Sequence, residues 1–144
     1  MDIATIILSA AKSIGVSGVL LLGICRHESG GFKHSYVLMD HGTPSYGVCQ
    51  IKWATASMFG FKGDPKKLIN PKVSAGYAAK YLKYQQNRYG DDWLKLTASY
   101  NAGSYHPSKK VLGCPRNLKY VRAVQKELPE EVRNKLNCGN QRTR

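Results

Sequence analysis

The chain has 144 residues, of which 42% are hydrophobic and 22% are charged, so its composition is that of a globular protein rather than a disordered one. Its 22 Lys and Arg residues outnumber its 9 Asp and Glu residues, and the net charge of +13 favours an anionic partner or surface, such as nucleic acid, acidic lipid or an acidic cell-wall polymer. The longest strongly apolar stretch covers residues 19–25, well short of the roughly 20 residues of a transmembrane helix, which excludes a membrane span.

Two helices are expected at the N-terminus. Apolar residues recur at helical spacing over residues 3–14 behind Asp2, a suitable N-cap, and Gly15 ends this helix. Ser17 caps a second, apolar helix that the glycine pair at 30–31 stops. Because the segment lacks a positively charged start and a small-residue cleavage site, we interpret it as mature protein rather than as a classical signal peptide.

The remaining sequence predicts further helices and few strands. Residues 32–50 are rich in Gly, Ser, Pro and His and are typical of a long loop, with short strand pieces near 36–39 and 47–51. The sequence has no repeat and no linker, so we expect one compact, mainly α domain over residues 1–144. The later predicted helices cover residues 52–58, 71–89, 92–102, 115–126 and 129–136.

The cysteines are expected to be free thiols. Four cysteines allow three disulfide pairings. Without an export signal, reduced thiols are the default, and Cys25 and Cys49 have the sequence context of small core residues. The same expectation covers Cys114 and Cys138.

No metal or other cofactor is predicted. No cysteine pair has the C-x2-C spacing of a metal site. His27, His34 and His41 recur every seven residues, but glycines interrupt the segment, so scattered structural or surface histidines are favoured over a metal site.

Glu28 is the strongest candidate catalytic residue. It closes an apolar helix, precedes a glycine pair and is the only acidic residue between Asp2 and Asp40. A carboxyl group in that position is expected to be partly desolvated, which raises its pKa and favours the protonated form that a general acid needs. The alternative is a surface ion pair with Arg26 or a nearby Lys.

Four short motifs extend this interpretation. Each occurs by chance in many proteins, but the four stand in order at sensible spacings. They are RHESGGF at 26–32, YGVCQI at 46–51, ASYNAG at 98–103 and YVRAV at 120–124. Together they resemble the lysozyme-like SLT domain of lytic transglycosylases and, more distantly, goose-type lysozymes. The resemblance reaches from the N-terminal helix pair to about residue 126, and a C-terminal helix and basic tail follow over residues 127–144.

The resemblance implies a lysozyme-like fold with a substrate cleft, and it assigns roles to single residues. Glu28 matches the family's single catalytic acid, and Tyr100 matches a tyrosine whose hydroxyl contacts that acid. Cys49 stands where the family usually has Met. The expected substrate-binding residues are Gln50, Asn101, Tyr120, Gly47 and Ser29, with Gly47 allowing close approach of the glycan to the backbone.

The implied reaction is cleavage of the β-1,4 bond between N-acetylmuramic acid and N-acetylglucosamine. A lytic transglycosylase needs one carboxyl group, because the 6-hydroxyl of the substrate displaces the leaving group and gives a 1,6-anhydro product. Goose-type lysozymes carry an Asp near the position of Asp40, where it helps to activate water. Asp40 is therefore a possible second carboxylate in an alternative, hydrolytic enzyme, although a turn role beside Gly42 is equally compatible with the sequence.

The expected partners are peptidoglycan strands and the anionic cell-wall surface, bound by a monomer. A nucleic-acid-binding module is the rival interpretation of the charge, but the sequence has no recognised nucleic-acid-binding motif. Without a classical signal peptide, we expect a phage or prophage enzyme that acts on the cell wall after release through a pore or delivery in a particle.

Overall fold

Helices account for most of the chain in the structure, a computed structural model that describes residues 1–33, 38–40 and 43–139, the middle segment by its backbone alone. The α-helices are α1 (Ile3–Ile14), α2 (Gly18–Glu28), α3 (Trp53–Ser57), α4 (Pro71–Tyr89), α5 (Trp93–Ala102) and α6 (Leu118–Glu127). Two 3-10 helices cover Pro65–Ile69 and Glu130–Leu136, and the strands are β1 (Leu38–Asp40), β2 (Thr43–Tyr46) and β3 (Ile51–Lys52). The predicted mainly α fold is confirmed.

The chain separates into two compact units, Met1–Lys83 and Tyr84–Arg144. The boundary falls inside α4, so this helix contributes residues to both units. The expectation that residues 1–144 form a single catalytic domain stays a prediction.

Both N-terminal helices begin and end where the sequence predicts. Asp2 accepts a hydrogen bond from the N–H of Thr5 at 2.8 Å, and Gly15 ends α1 with a left-handed φ of 86°. The hydroxyl of Ser17 accepts from the N–H of Leu20 at 3.1 Å at the start of α2. Because α2 is apolar on several sides, it enters the core of the first unit through Leu20, Leu21, Ile24 and Cys25.

The loop predicted after α2 contains a small antiparallel sheet in the order β1-β2-β3. Tyr46 pairs with Ile51, so the four residues Gly47–Gln50 form the connection between β2 and β3. The strands differ in position from the predicted pieces at 36–39 and 47–51, because the glycine at 47 takes a positive φ and forms the turn rather than a strand.

The first unit is completed by α3, a 3-10 helix and the start of α4. The side-chain oxygen of Asn70 accepts from the N–H of Lys72 at 3.0 Å, which confirms the predicted helix start before Pro71. The 3-10 helix Pro65–Ile69 was not predicted, although Asp64 caps it in the same way.

In the second unit, α5 closely matches the predicted helix 92–102, with Asp92 as its N-cap and Gly103 as its C-cap. The predicted helix 115–126 begins later, at Leu118, because residues 115–117 form a bridge and a turn. The segment predicted as a helix over 129–136 is a 3-10 helix.

The structure corrects the expectation of free thiols. Cys25 is bonded to Cys49 and Cys114 to Cys138, so each unit contains one disulfide. The expectation rested on the compartment inferred from the sequence start, and it ignored which cysteines the fold brings together. All four side chains are buried, which is common for cysteines in either state.

Candidate active site

Glu28 is the last residue of α2 and is half-buried. The next side chain, Ser29, is fully buried, and its hydroxyl donates to the carbonyl oxygen of Cys25 at 2.8 Å and accepts from the N–H of Phe32 at 3.0 Å. Residues 30–32 then all have positive φ angles, so the chain leaves the helix directly after Ser29. Ser29 thus stabilises the end of α2, and its expected contact with substrate stays a prediction.

The turn between β2 and β3 carries Gln50. Its backbone lies in the left-handed region, with a φ of 50°, which is uncommon for a residue other than glycine. Its side-chain amide donates to the carbonyl oxygen of Gly47 at 2.8 Å, and its backbone N–H donates to the same oxygen at 3.1 Å. Strained conformations of this kind, at a cost of about 1–3 kcal/mol, cluster at functional sites and support the sequence-based choice of Gln50.

Gly47 is required by packing inside the first unit. A Cβ atom at this position would lie 2.5 Å from the carbonyl oxygen of Leu68 and 2.6 Å from the hydroxyl oxygen of Ser74. The same hydroxyl accepts from the N–H of Cys49 at 3.3 Å. The turn therefore packs closely against the 3-10 helix Pro65–Ile69 and α4. This packing requires a glycine at position 47 whether or not a glycan binds there.

The Cys25–Cys49 disulfide connects these two parts of the site. Cys25 lies three residues before Glu28 on α2, and Cys49 directly precedes Gln50 in the turn. The structure therefore ties the helix that carries the candidate acid to the turn that carries the candidate sugar-binding amide. The sequence did not identify this bond, since four cysteines leave three pairings open.

Asp40 is the last residue of β1, and its backbone pairs with that of Thr43 in β2. Only its backbone belongs to the described structure, and His34, His41 and Gly42 lie outside the described residues. Its role as a possible second carboxylate stays a prediction.

Tyr100 and Asn101 lie near the C-terminal end of α5 in the second unit; Tyr100 is buried and Asn101 is exposed. The end of this helix is held by Gln85 on α4, whose fully buried side chain donates to the carbonyl oxygens of Ser99 at 3.3 Å and Gly103 at 3.0 Å. Gln85 was not among the predicted site residues. It continues the helical spacing of Tyr77, Ala78, Tyr81 and Leu82, and a polar side chain at such a position was the available signal.

Arg88 strengthens this arrangement. Its guanidinium donates to the side-chain oxygen of Gln85 at 2.9 Å and to the carbonyl oxygen of Gly103 at 2.7 Å. A second nitrogen of the same group donates to the hydroxyl of Ser104 at 2.8 Å. Two side chains of α4 therefore bind the carbonyl group of Gly103, which caps the C-terminal end of α5, the helix that carries Tyr100.

Asn117, directly before α6, was missed by the sequence analysis. Its side-chain nitrogen donates to the carbonyl oxygen of Ala98 at 2.9 Å and to the side-chain oxygen of Asn101 at 3.0 Å. Tyr120, the expected aromatic of the last motif, lies partly exposed on the first turn of α6. In this unit the structure thus ties Asn101 to the start of the helix that carries Tyr120.

Glu28 belongs to the first unit and Tyr100 to the second. The hydrogen bond expected between them stays a prediction. Among residues 1–33 and 43–139, no group of three His, Cys, Asp or Glu side chains is placed to hold a metal ion. No helix in the described part of the chain has the length and apolar character to cross a bilayer.

The fold is that of lytic transglycosylases. The chain is similar to the 70 kDa soluble lytic transglycosylase of Escherichia coli, with 16% identity and a TM-score of 0.60, over 92% of this chain and 20% of that one. It is also similar to an inactive mutant of the lytic transglycosylase Slt from Pseudomonas aeruginosa, with 19% identity and a TM-score of 0.60, over 92% of this chain and 22% of that one. The chain thus spans about a fifth of the length of these enzymes.

The sequence comparison identifies the family. The model of the family described as Transglycosylase SLT domain matches residues 5–116, and the chain belongs to this family. The resemblance inferred from the four motifs is therefore confirmed. No curated protein sequence matches the chain significantly.

Proposed function

We propose that this chain is a peptidoglycan lytic transglycosylase that cleaves the β-1,4 bond between N-acetylmuramic acid and N-acetylglucosamine. The observation that carries the proposal is the covalent connection of α2, which ends at Glu28, to the strained turn that carries Gln50. Membership of the SLT family supports it. One of the similar solved structures is of an inactive mutant in which a glutamate is replaced by glutamine, which fits a single essential acid.

In the proposed reaction, the protonated carboxyl group of Glu28 donates its proton to the glycosidic oxygen while the bond from that oxygen to the anomeric carbon breaks. The resulting carboxylate accepts the proton of the 6-hydroxyl group of the same N-acetylmuramic acid. The oxygen of that hydroxyl forms the new bond to the anomeric carbon. No water is consumed, and Glu28 returns to its protonated form.

The other proposed roles follow from the residue types. Tyr100 orients the carboxyl group of Glu28, and Gln50 and Asn101 bind polar groups of the sugars. Tyr120 provides an aromatic face or a hydroxyl group for the glycan. The glycine at 47 keeps the turn that carries Gln50 in place through its packing against Leu68 and Ser74.

We further propose that the positive charge concentrates the enzyme on anionic wall polymers, where it acts as a monomer. The second unit contains a segment with only positive charges, since residues 93–126 include seven Lys and Arg residues and no Asp or Glu. Loss of wall adsorption at high ionic strength, with unchanged cleavage of soluble glycan strands, is the expected result. We also propose that it is a phage or prophage enzyme that reaches the wall by release through a pore or by delivery in a particle.

The product of digestion tests the proposed reaction. Purified peptidoglycan is digested with the full chain, and the muropeptides are analysed by mass spectrometry. We expect fragments that end in 1,6-anhydro-N-acetylmuramic acid. Glu127→Gln, the same substitution at an exposed position, serves as the control for Glu28→Gln.

A hydrolytic lysozyme is the alternative that the same experiment detects. It would release reducing fragments that are heavier by one water than the anhydro products. It would also make Asp40 necessary, because a second carboxylate would have to activate that water. Reducing products together with loss of activity in Asp40→Asn would refute the transglycosylase proposal. Retention of most activity in Asp40→Asn is expected.

A further inference from the structure

We propose that Asn117 is a positioning residue that orients the side-chain amide of Asn101, so that Asn101 presents its two N–H donors to the substrate. The inference rests on the proposed function, because it concerns how Asn101 binds the glycan. It adds a residue outside the four motifs and the chemical class of the group that Asn101 recognises, a hydrogen-bond acceptor such as an acetamido carbonyl oxygen.

The orientation follows from the hydrogen-bonding capacities of the groups. The carbonyl oxygen of Ala98 only accepts hydrogen bonds, so the amide group of Asn117 must turn its nitrogen toward it, at 2.9 Å. That nitrogen has a second hydrogen, and the side chain of Asn101 lies 3.0 Å away. Asn101 must therefore turn its oxygen toward Asn117.

This orientation of Asn101 determines where its side-chain nitrogen points. With its oxygen bound to Asn117, the nitrogen of Asn101 points away from Asn117, on an exposed side chain at the last turn of α5. An exposed asparagine amide without such a partner rotates and presents either its oxygen or its nitrogen. The backbone carbonyl of Ala98 thus fixes the orientation of the Asn117 amide group, which in turn fixes that of the Asn101 amide group. The Asn101 nitrogen is therefore preorganised to donate hydrogen bonds to the substrate.

The elements that carry the two residues are themselves held in place. The end of α5 is bound by Gln85 and Arg88 through the carbonyl oxygen of Gly103. Asn117 directly precedes α6, whose buried residues include Val121. The pair of amide groups therefore bridges two anchored helices, and the orientation of Asn101 is a property of the folded unit rather than of one side chain.

The test is a double-mutant cycle on the full chain with soluble, un-cross-linked glycan strands as the substrate. Asn117→Ala is expected to raise KM about three- to tenfold, the effect of one hydrogen-bonding group that loses its orientation, with kcat within about twofold. Asn101→Ala is expected to raise KM at least as much. Adding Asn117→Ala to Asn101→Ala should change KM no further, because Asn117 acts through Asn101.

Gln125→Ala is the matched control. The amide nitrogen of Gln125 also donates to one backbone carbonyl, that of Arg133 at 2.7 Å, and to one asparagine oxygen, that of Asn137 at 2.9 Å. These two bonds connect α6 to the C-terminal 3-10 helix and the residue after it. Its removal should lower stability to a similar extent as Asn117→Ala and leave KM unchanged.

Asn101→Asp keeps the test informative if Asn117→Ala does not fold. An aspartate at this position still accepts from Asn117 but donates nothing, so KM should rise without loss of stability. Two outcomes would show that Asn117 is only structural. In the first, Asn117→Ala raises KM by the same factor in the unmodified chain and in Asn101→Ala. In the second, Gln125→Ala raises KM as much as Asn117→Ala does. Unchanged KM in Asn117→Ala with raised KM in Asn101→Ala would refute this inference alone. Unchanged KM in Asn101→Ala would refute the proposed substrate role of Asn101 together with this inference.

Discussion

Replacing Gly47 with alanine separates two explanations for this glycine, close approach of the glycan and packing within the protein. Its φ is 79°, and an L-residue in the left-handed region costs roughly 1–2 kcal/mol. The added Cβ would also lie 2.5 Å from the carbonyl oxygen of Leu68 and 2.6 Å from the hydroxyl oxygen of Ser74. Overpacking of this kind costs about 1–3 kcal/mol, so Gly47→Ala should lose roughly 2–5 kcal/mol in total.

Gly60 provides the matched control. It has a similar positive φ of 93°, but no atom lies within 4 Å of its ideal Cβ position. Gly60→Ala should therefore lose only the conformational part, roughly 1–2 kcal/mol. For a chain of about this length, each kcal/mol lowers Tm by about 2–4 °C, so Gly47→Ala should melt roughly 2–12 °C below Gly60→Ala.

The assay is thermal unfolding of both variants, together with KM measured well below both values of Tm. Equal Tm values for Gly47→Ala and Gly60→Ala would refute the packing argument. If the two Tm values were equal and KM rose in Gly47→Ala but not in Gly60→Ala, close approach of the glycan would replace packing as the explanation for Gly47.

Four further outcomes are expected. Glu28→Gln should lower wall-cleaving activity by at least ~10²-fold, the loss of a general acid, and activity within threefold of the Glu127→Gln control would refute the assignment. Tyr100→Phe should lower kcat by about two- to tenfold through loss of one orienting hydrogen bond, whereas unchanged kcat and Tm would make Tyr100 a core residue only. Alkylation of the denatured, unreduced protein should add no label to any cysteine, and reduction should cost about 3 kcal/mol per disulfide, since each joins residues 24 apart; four adducts before reduction would contradict the structure. Burial and, to a smaller extent, the negative charge of Asp92 raise the pKa of Tyr105. The contribution of Tyr105 to stability is therefore full below pH about 10 and is lost as the pH rises through the higher pKa of the folded state. The Tm of Tyr105→Phe should fall less steeply above pH about 10 than the Tm of the unmodified chain, and equal slopes would contradict this.

Local signals in the sequence were sufficient for most helices. Asp2, Asn70 and Asp92 each accept a backbone hydrogen bond at the helix start that the sequence predicts. These features depend on residues three or fewer positions apart, so they are visible in a single chain. The 3-10 helix at Pro65–Ile69 had a comparable Asp64 cap, but five residues are too few for a hydrophobic period to be recognised.

The features that could not be predicted depend on residues far apart in the sequence. Asn117 reaches Asn101 across 16 positions, and Gln85 reaches Gly103 across 18. Neither pair leaves a periodic pattern. Glu28 could be chosen because a carboxyl group at the end of an apolar helix is unusual in itself, whereas an asparagine before a helix is ordinary and gave no signal.

The order of the cysteines also bears on how the chain acquires its disulfides. Of the three ways to pair four cysteines, the observed one alone closes two separate loops, each inside one compact unit and each between residues 24 apart. Both other pairings would join the two units through longer loops, whose closure costs more entropy in the unfolded chain. When the reduced chain is oxidised, loop closure therefore favours the native pairs, and the protein should reach its correct disulfides with little need for an isomerase.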